Sequence, residues 1–302
     1  MNHYKKAISA DGSIQAKIEM TDDWLHAVSK KRIPFQPQGW KKEFRDTLRC
    51  ELPKLKPPAE NQCLVALYNS KTKSSFFDLE NVLFYNIGAK PFQPLAAVRI
   101  FAQNCSKPTS DECGEETEFL HQYTYKICSI EICTDFWKSR ALAVEWKPVP
   151  VSASFSKNKA IDYWRALRKN PDKIKRHCKI PEGFFGVKIK LSVPKTRGVN
   201  LPSVIKPLLD GIICAFHSAD DRLQKEAGLV ADRLGISKQL LLSADYDVLG
   251  ACRFIYSYRG TSVKWNPQDD RCLAFEIEVE HSDDDTCRFS GKIYKLPFCQ
   301  RV

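Results

Sequence analysis

Two short segments hold the residues best suited to chemistry. The first is Asp78-Leu-Glu80-Asn81. On an extended segment residues i and i+2 point to the same side, so both carboxylates can face one metal ion. The second runs Asn200-Leu-Pro-Ser203-Val-Ile-Lys206-Pro-Leu-Leu-Asp210, with Asp220-Asp221 ten residues further on. Val204, Ile205, Leu208, Leu209, Ile212 and Ile213 recur at helical spacing. That makes the segment an amphipathic helix with Lys206 and Asp210 as i, i+4 neighbours on its polar side. Acids and a lysine of this kind suit Mg²⁺-dependent phosphodiester hydrolysis, in which carboxylates hold the ion and a cation faces the transition-state phosphate. Asp78, Glu80 and Asp221 are then the candidate metal ligands, and Lys206 completes the candidate catalytic set. Mg²⁺ is expected only if the site is catalytic. A plainer reading stands beside each residue: Asp220 and Asp221 as caps of a following helix, Lys206 and Asp210 as one exposed ion pair.

The elements that must position these residues fall into two series. In the first, a strand at Ile14 to Met20 is followed by Trp40, which opens the basic helix WKKEFRDTLRCEL, ended by Pro53, Pro57 and Pro58. The strand QCLVALYN, the loop SKTKSS and the segment FFDLENVLFYNIG come next, then strands in LAAVRIFA and YTYKICSIEI. In the second, the strand ALAVEW leads through KPVPVSASFSKNK to the basic helix IDYWRALRKN. GVKIKLSV, the loop PKTRG, the Lys206 helix and strands in ACRFIYSY and LAFEIEVE follow. Trp40 to Val65 and Trp164 to Ile189 are both 25 residues, and Val65 to Asp78 and Ile189 to Asn200 are 13 and 11. An internal duplication is therefore expected, with repeats at 1–138 and 139–302. Neither series alternates strand and helix strictly, so the expected class is α+β: two similar mixed-sheet units, each with helices on one face, arranged as a pseudo-dimer. The polar segment 106–118 reads as an exposed loop.

The 302 residues carry 47 Lys and Arg against 36 Asp and Glu, a formal charge of +11. That excess points to a polyanionic partner, most simply DNA. Candidate contacts are Lys41, Lys42 and Arg45 in the first basic helix, and Arg165, Arg168, Lys169, Lys173, Lys175 and Arg176 in and after the second. Lys71, Lys73, Lys195 and Arg197 lie in the loops just before the two chemical segments, where they would hold a phosphate backbone. Solvated faces of ordinary helices would account for half of these. Composition excludes a largely disordered or collagen-like chain: 43% of residues are hydrophobic, with 13 Gly and 17 Pro. No apolar run is long enough to cross a membrane and no signal-peptide core opens the chain, so a cytoplasmic location without membrane partners is expected. None of the twelve cysteines forms a C-x-x-C pair. They read mostly as buried thiols, with Cys128 and Cys133 on opposite faces of an apparent strand. The six histidines are scattered and read as structural or surface groups, and no Gly-rich phosphate loop is present.

The chemical segments resemble RusA-like Holliday junction resolvases. That family carries Asp-x-Asp-Asn, a Lys three residues after the Asn, an Asp four residues later and an Asp-Asp pair after the helix. KPLLDG and ADDRL match the Lys, the helix Asp and the Asp pair, while Asn200, Pro202 and Ser203 replace the acids and the Asn. In the first series DLEN matches the acidic motif with Glu80 for the second Asp, Phe84 stands at the Lys position, and no Asp pair follows. Each series keeps a different part of the set, over about 60 residues in each half. The family is homodimeric, so the resemblance implies a tandem fusion shaped like a dimer. Three functions are compatible with it: a nucleic-acid-binding protein with reduced or lost catalysis, a Mg²⁺-dependent structure-specific endonuclease with one composite site, and a protein-interaction subunit of a bacterial or phage defence or counter-defence assembly.

Overall fold

The computed structural model describes residues 3–8, 12–72, 77–95, 98–105, 119–151, 154–259 and 262–297. Lys73 and the 106–118 segment lie outside them. The class is mixed α+β, built on one eleven-stranded sheet. The first half supplies β1 (His3–Ile8), β2 (Ile14–Met20), β3 (Trp24–Ser29), β4 (Gln62–Ser70), β5 (Arg99–Asn104) and β6 (His121–Ser129), with helices α1 (Trp40–Glu51) and α2 (Glu131–Lys138). The second supplies β7 (Ala141–Pro150), β8 (Ile174–Arg176), β9 (Phe184–Pro194), β14 (Cys272–Ser282) and β15 (Arg288–Leu296) to the same sheet. Its helices are α3 (Ala160–Arg168), α4 (Leu201–Ala215), α5 (Asp221–Leu234) and α6 (Lys238–Leu242). Two short pairs, β10 (Ser218–Ala219) with β11 (Ala251–Cys252) and β12 (Ile255–Arg259) with β13 (Ser262–Trp265), stand apart from the main sheet.

The strand order is β1-β2-β3-β6-β4-β5-β14-β9-β15-β7-β8. From the seam outward, one half runs β5-β4-β6-β3 and the other β14-β9-β15-β7. The pairing senses agree position by position: parallel for β4·β5 and β9·β14, antiparallel for β4·β6 and β9·β15, antiparallel for β3·β6 and β7·β15. Chain order agrees too, with α1 between β3 and β4 and α3 between β7 and β9. β5 and β14 pair antiparallel, Ala102 opposite Phe275, so the sheet continues across the seam.

Period-2 alternation decides the two faces. Val187, Ile189, Leu191 and Val193 of β9 are buried in the main core together with α3, α4 and α5. Gly211 lets α4 approach α3, since a methyl group there would collide with the Ala160 carbonyl and the Tyr163 side chain. On the opposite face α2 lays Cys133 and Trp137 over Cys63, Val65, Phe101 and Ala274. Trp137 Nε1 donates to the buried Glu276 Oε2 at 2.6 Å.

Three local expectations are corrected. The strand read through SIEI stops at Ser129, and α2 follows, because Cys133 and Trp137 at i, i+4 favour a helix with one buried stripe. Cys133 Sγ therefore lies 3.4 Å from Cys63 Sγ on α2's side of the sheet. The second basic helix ends at Arg168; Pro171 disfavours helix at Asn170, and a 3₁₀ turn then leads into β8. ACRFIYSY divides into β11 and β12. Among the described residues no helix is long and apolar enough to cross a membrane.

Candidate metal and nucleic-acid site

Asp78 and Glu80 lie between β4 and a turn of π-helix, Asn81–Tyr85, with Glu80 immediately before that turn. The Asn86 N–H donates to the Asn81 carbonyl at 2.9 Å, the i+5 bond that defines such a turn. Leu79, Val82, Leu83 and Phe84 are buried and anchor the turn. Glu80 is already helical, at φ −67°, so the two acids do not share an extended segment as the sequence suggested. Asn81 Nδ2 donates to Asp78 Oδ2 at 2.7 Å and fixes that carboxylate.

Helix α4 packs against the π-turn from the other half of the chain. Lys206 Nζ lies 3.0 Å from Glu80 Oε1, 3.4 Å from Asp210 Oδ1 and 3.9 Å from Asp269 Oδ2. Asp269 opens the 3₁₀ turn Asp269–Arg271 immediately before β14, behind Gln268 at φ 53°, the left-handed region that a non-glycine residue occupies only when its surroundings enforce it. Asp78, Glu80 and Asp269 each place one carboxylate oxygen within 4.8 Å of the others. A cavity of about 540 Å³ opens beside them, lined by Glu80, Tyr85, Lys159, Ser203, Lys206 and Asp210 among others.

Too many acids share too little solvent here. Burial, reinforced by the charges of Glu80 and Asp78, pushes the Asp269 carboxyl well above the carboxylate range; Lys206 offsets this only in part. Burial likewise raises Asp210 to about 7, against the opposing pull of Lys206. Asp270 is raised by burial and by Asp78. Burial by itself would lower the Lys206 pKa, but Glu80, Asp210 and Asp269 outweigh it and hold the ammonium charged. The group therefore binds protons that a divalent cation would displace. Three hard oxygen donors are the donor set Mg²⁺ or Mn²⁺ takes.

Of the four sequence candidates, Asp78, Glu80 and Lys206 come together. Asp221 does not join them. It lies in the first turn of α5 and lines a separate cavity of about 410 Å³ with Asp220, Gln224 and Asp247. Asp220 Oδ1 accepts from Leu223 N at 2.8 Å, the capping role that was the plainer reading. The third carboxylate is Asp269. Its signal was an Asp-Asp pair of the same type, Asp269-Asp270, with two residues between it and LAFEIEVE.

The basic candidates divide. Arg168 is 2% exposed and is corrected to a core group. Its guanidinium donates to Ser243 O at 2.9 Å and His217 O at 2.6 Å, and lies 4.4 Å from the Tyr246 ring centre. Burial lowers its pKa to about 10. Arg165 is turned to the Leu234 carbonyl at 2.8 Å, Arg45 to Asp46 at 3.2 Å, and Lys195 to Asp283 at 2.7 Å. Lys42, Lys71, Lys169, Lys175, Arg176 and Arg197 are exposed, and Lys41 is half-buried beside Trp40. Lys173 donates to the Pro148 carbonyl at 3.1 Å and borders a trough of about 630 Å³ that the sequence reading missed. Lys147, Lys175, Lys188, Lys190 and Lys292 line it too, with Glu145, Asp172 and Glu278. The signal was alternation: Lys188 and Lys190 interleave with buried Val187, Ile189 and Leu191, so they face away from the main core.

His217 is fully buried between the Gly250 and Pro267 carbonyls, at 2.9 and 3.0 Å. No family model, curated protein or solved structure matches this chain.

Proposed function

We propose that this protein binds nucleic acid, most simply DNA, and hydrolyses its phosphodiester backbone at one composite site on the seam between its halves. One observation carries the reading: Asp78 and Glu80 from the first half and Asp269 from the second put oxygens within 4.8 Å of one another, beside Lys206. The matching strand orders of the halves support a tandem duplication in which each copy kept part of a RusA-like residue set.

In this reading Asp78, Glu80 and Asp269 hold a divalent cation. A bound Mg²⁺ supplies Lewis-acid stabilisation of the charge that develops on the phosphate, and polarises water. Lys206 lends its ammonium to the phosphate oxygens on the cavity side. Asp210, with a pKa of about 7, is poised to take up or release a proton near neutrality. The buried side chains of Phe84 and Ile205 in the cavity wall limit water around these charges and so strengthen each interaction.

A second reading, binding without cleavage, is favoured by the same lysine. Lys206 reaches Glu80 and Asp269 and partly neutralises the cluster from within. Branched, duplex and single-stranded DNA incubated with Mg²⁺ or Mn²⁺ separate the two. Cleavage that disappears in Asp78→Asn and Asp269→Asn supports the composite site. Binding with no cleavage of any substrate by wild type supports the second reading.

A further inference from the structure

Two aromatic rings stand in water at the mouth of the Lys206 cavity. Phe35 is 57% exposed and Tyr85 48%. Their centroids are 5.2 Å apart and the planes 9° from parallel, so they stack on each other. Tyr85 lines the cavity, and Lys206 Nζ lies 6.0 Å from its ring centre. Two stacked apolar rings exposed beside a cluster of charged side chains have a solvation cost that folding does not require.

Both rings are rigidly mounted. Tyr85 ends the π-turn, whose inner residues are buried. The Phe35 loop is tied to that turn: Asn86 Nδ2 donates to the Ile33 carbonyl at 3.0 Å, and the Ile33 N–H donates to the Tyr123 hydroxyl at 3.2 Å. Pro34 and Pro37 further restrict the loop. Just beyond it Lys41 and Lys42 open α1. A flat apolar face thus lies beside the carboxylate cavity, with Phe35 six and seven residues ahead of Lys41 and Lys42 in the chain. Nucleic acid presents this combination when a base has left its helix: an exposed π-face with a phosphate at each side.

We infer that Phe35 and Tyr85 form a stacking platform for an unpaired nucleobase next to the phosphate held at Lys206, so that the substrate is single-stranded or locally unpaired nucleic acid. This rests on the proposed nucleic-acid reading and narrows its substrate class. A base stacked on the outer face of Phe35 extends the existing pair by one ring. A base within an intact duplex cannot do so, because both its faces are already covered.

The test uses the full chain in EDTA, so that binding is read without cleavage. The probes are a single-stranded DNA oligonucleotide carrying 2-aminopurine and its fully paired duplex. Wild type should bind the single strand more tightly and quench the 2-aminopurine. Phe35→Ala and Tyr85→Ala should each weaken single-strand binding about tenfold, the usual size for loss of one stacking partner, and relieve the quench. Phe35→Trp should restore both, and duplex binding should change less than about twofold. Single-strand affinity and fluorescence unchanged in both alanine variants would overturn the platform while leaving nucleic-acid binding standing. No binding of either DNA by wild type would overturn both. Stacking intact in a protein that never cleaves supports the platform and overturns only the hydrolytic reading.

Discussion

Lys206 Nζ and Glu80 Oε1 are 3.0 Å apart although their residues are 126 positions apart in the chain. The ion pair joins helix α4 of one half to the π-turn of the other. Glu80 is nearly inaccessible, so it depends on this ammonium for its charge balance. Replacing Lys206 by Met leaves Glu80, Asp210 and Asp269 without an internal cation. The variant should lose about 3 kcal/mol of stability in EDTA, as when one partner of a buried pair is removed, and added Mg²⁺ should recover much of the loss. Thermal unfolding with and without Mg²⁺ checks this; a loss that Mg²⁺ does not touch would speak against a cation site.

Asp210 contributes a pH dependence of its own, because burial raises its folded pKa to about 7, above the ordinary carboxylate value of about 3.9. Between those values the native state holds a proton that the unfolded chain has released. Its contribution is therefore present at low pH and is lost as pH rises through about 7. Asp210→Asn removes this dependence. In metal-free unfolding titrations from pH 5 to 8, the variant should gain stability relative to wild type as pH rises. A constant difference would mean that Asp210 is ionised throughout.

The lysine trough on the second half's open face is the surface to which the proposed nucleic-acid reading assigns backbone phosphates. Lys188, Lys190 and Lys292 already face Glu276, Glu280 and Glu145 at 3.4, 2.9 and 3.7 Å. Lys147 and Lys175 have the freer ammonium groups. Reversing both to Glu should weaken DNA binding alike for all sequences and lower the slope of log affinity against log salt by about 2. An unchanged slope would remove this face from the interface.

Arg168 makes the opposite prediction. Its substitution by Ala leaves the Ser243 and His217 carbonyls without their donor and opens a void beside Trp164. Stability should fall by about 3 kcal/mol or more, whereas the DNA affinity of the remaining folded protein should hold. Denaturant unfolding together with a binding titration tests both halves of the statement.

Much of the sheet was legible because alternation is a local property: β4, β9 and β14 each read directly from their apolar pattern. β1 and β15 were missed because they mix lysines or arginines with small residues, and β3 because it is only six residues long with a weakly apolar outer face. Asp78, Glu80 and Lys206 were legible by residue type, although the i, i+2 spacing that paired the two acids assumed an extended segment and Glu80 is helical. Asp269 was not, since nothing local says that a 3₁₀ turn before β14 will meet the π-turn after β4. Burial of Arg168 was equally hidden: a basic residue at the end of an amphipathic helix looks exposed until Ser243 and His217 are folded over it.

The central claim is that carboxylates from the two halves share one divalent cation. Calorimetric titration of Mg²⁺ or Mn²⁺ into wild type, Asp78→Asn, Asp269→Asn and Asp221→Asn tests it directly. Saturable binding should be present in wild type and Asp221→Asn and lost in both Asp78→Asn and Asp269→Asn. Binding that survives in Asp78→Asn and Asp269→Asn, or that is lost only in Asp221→Asn, would contradict it.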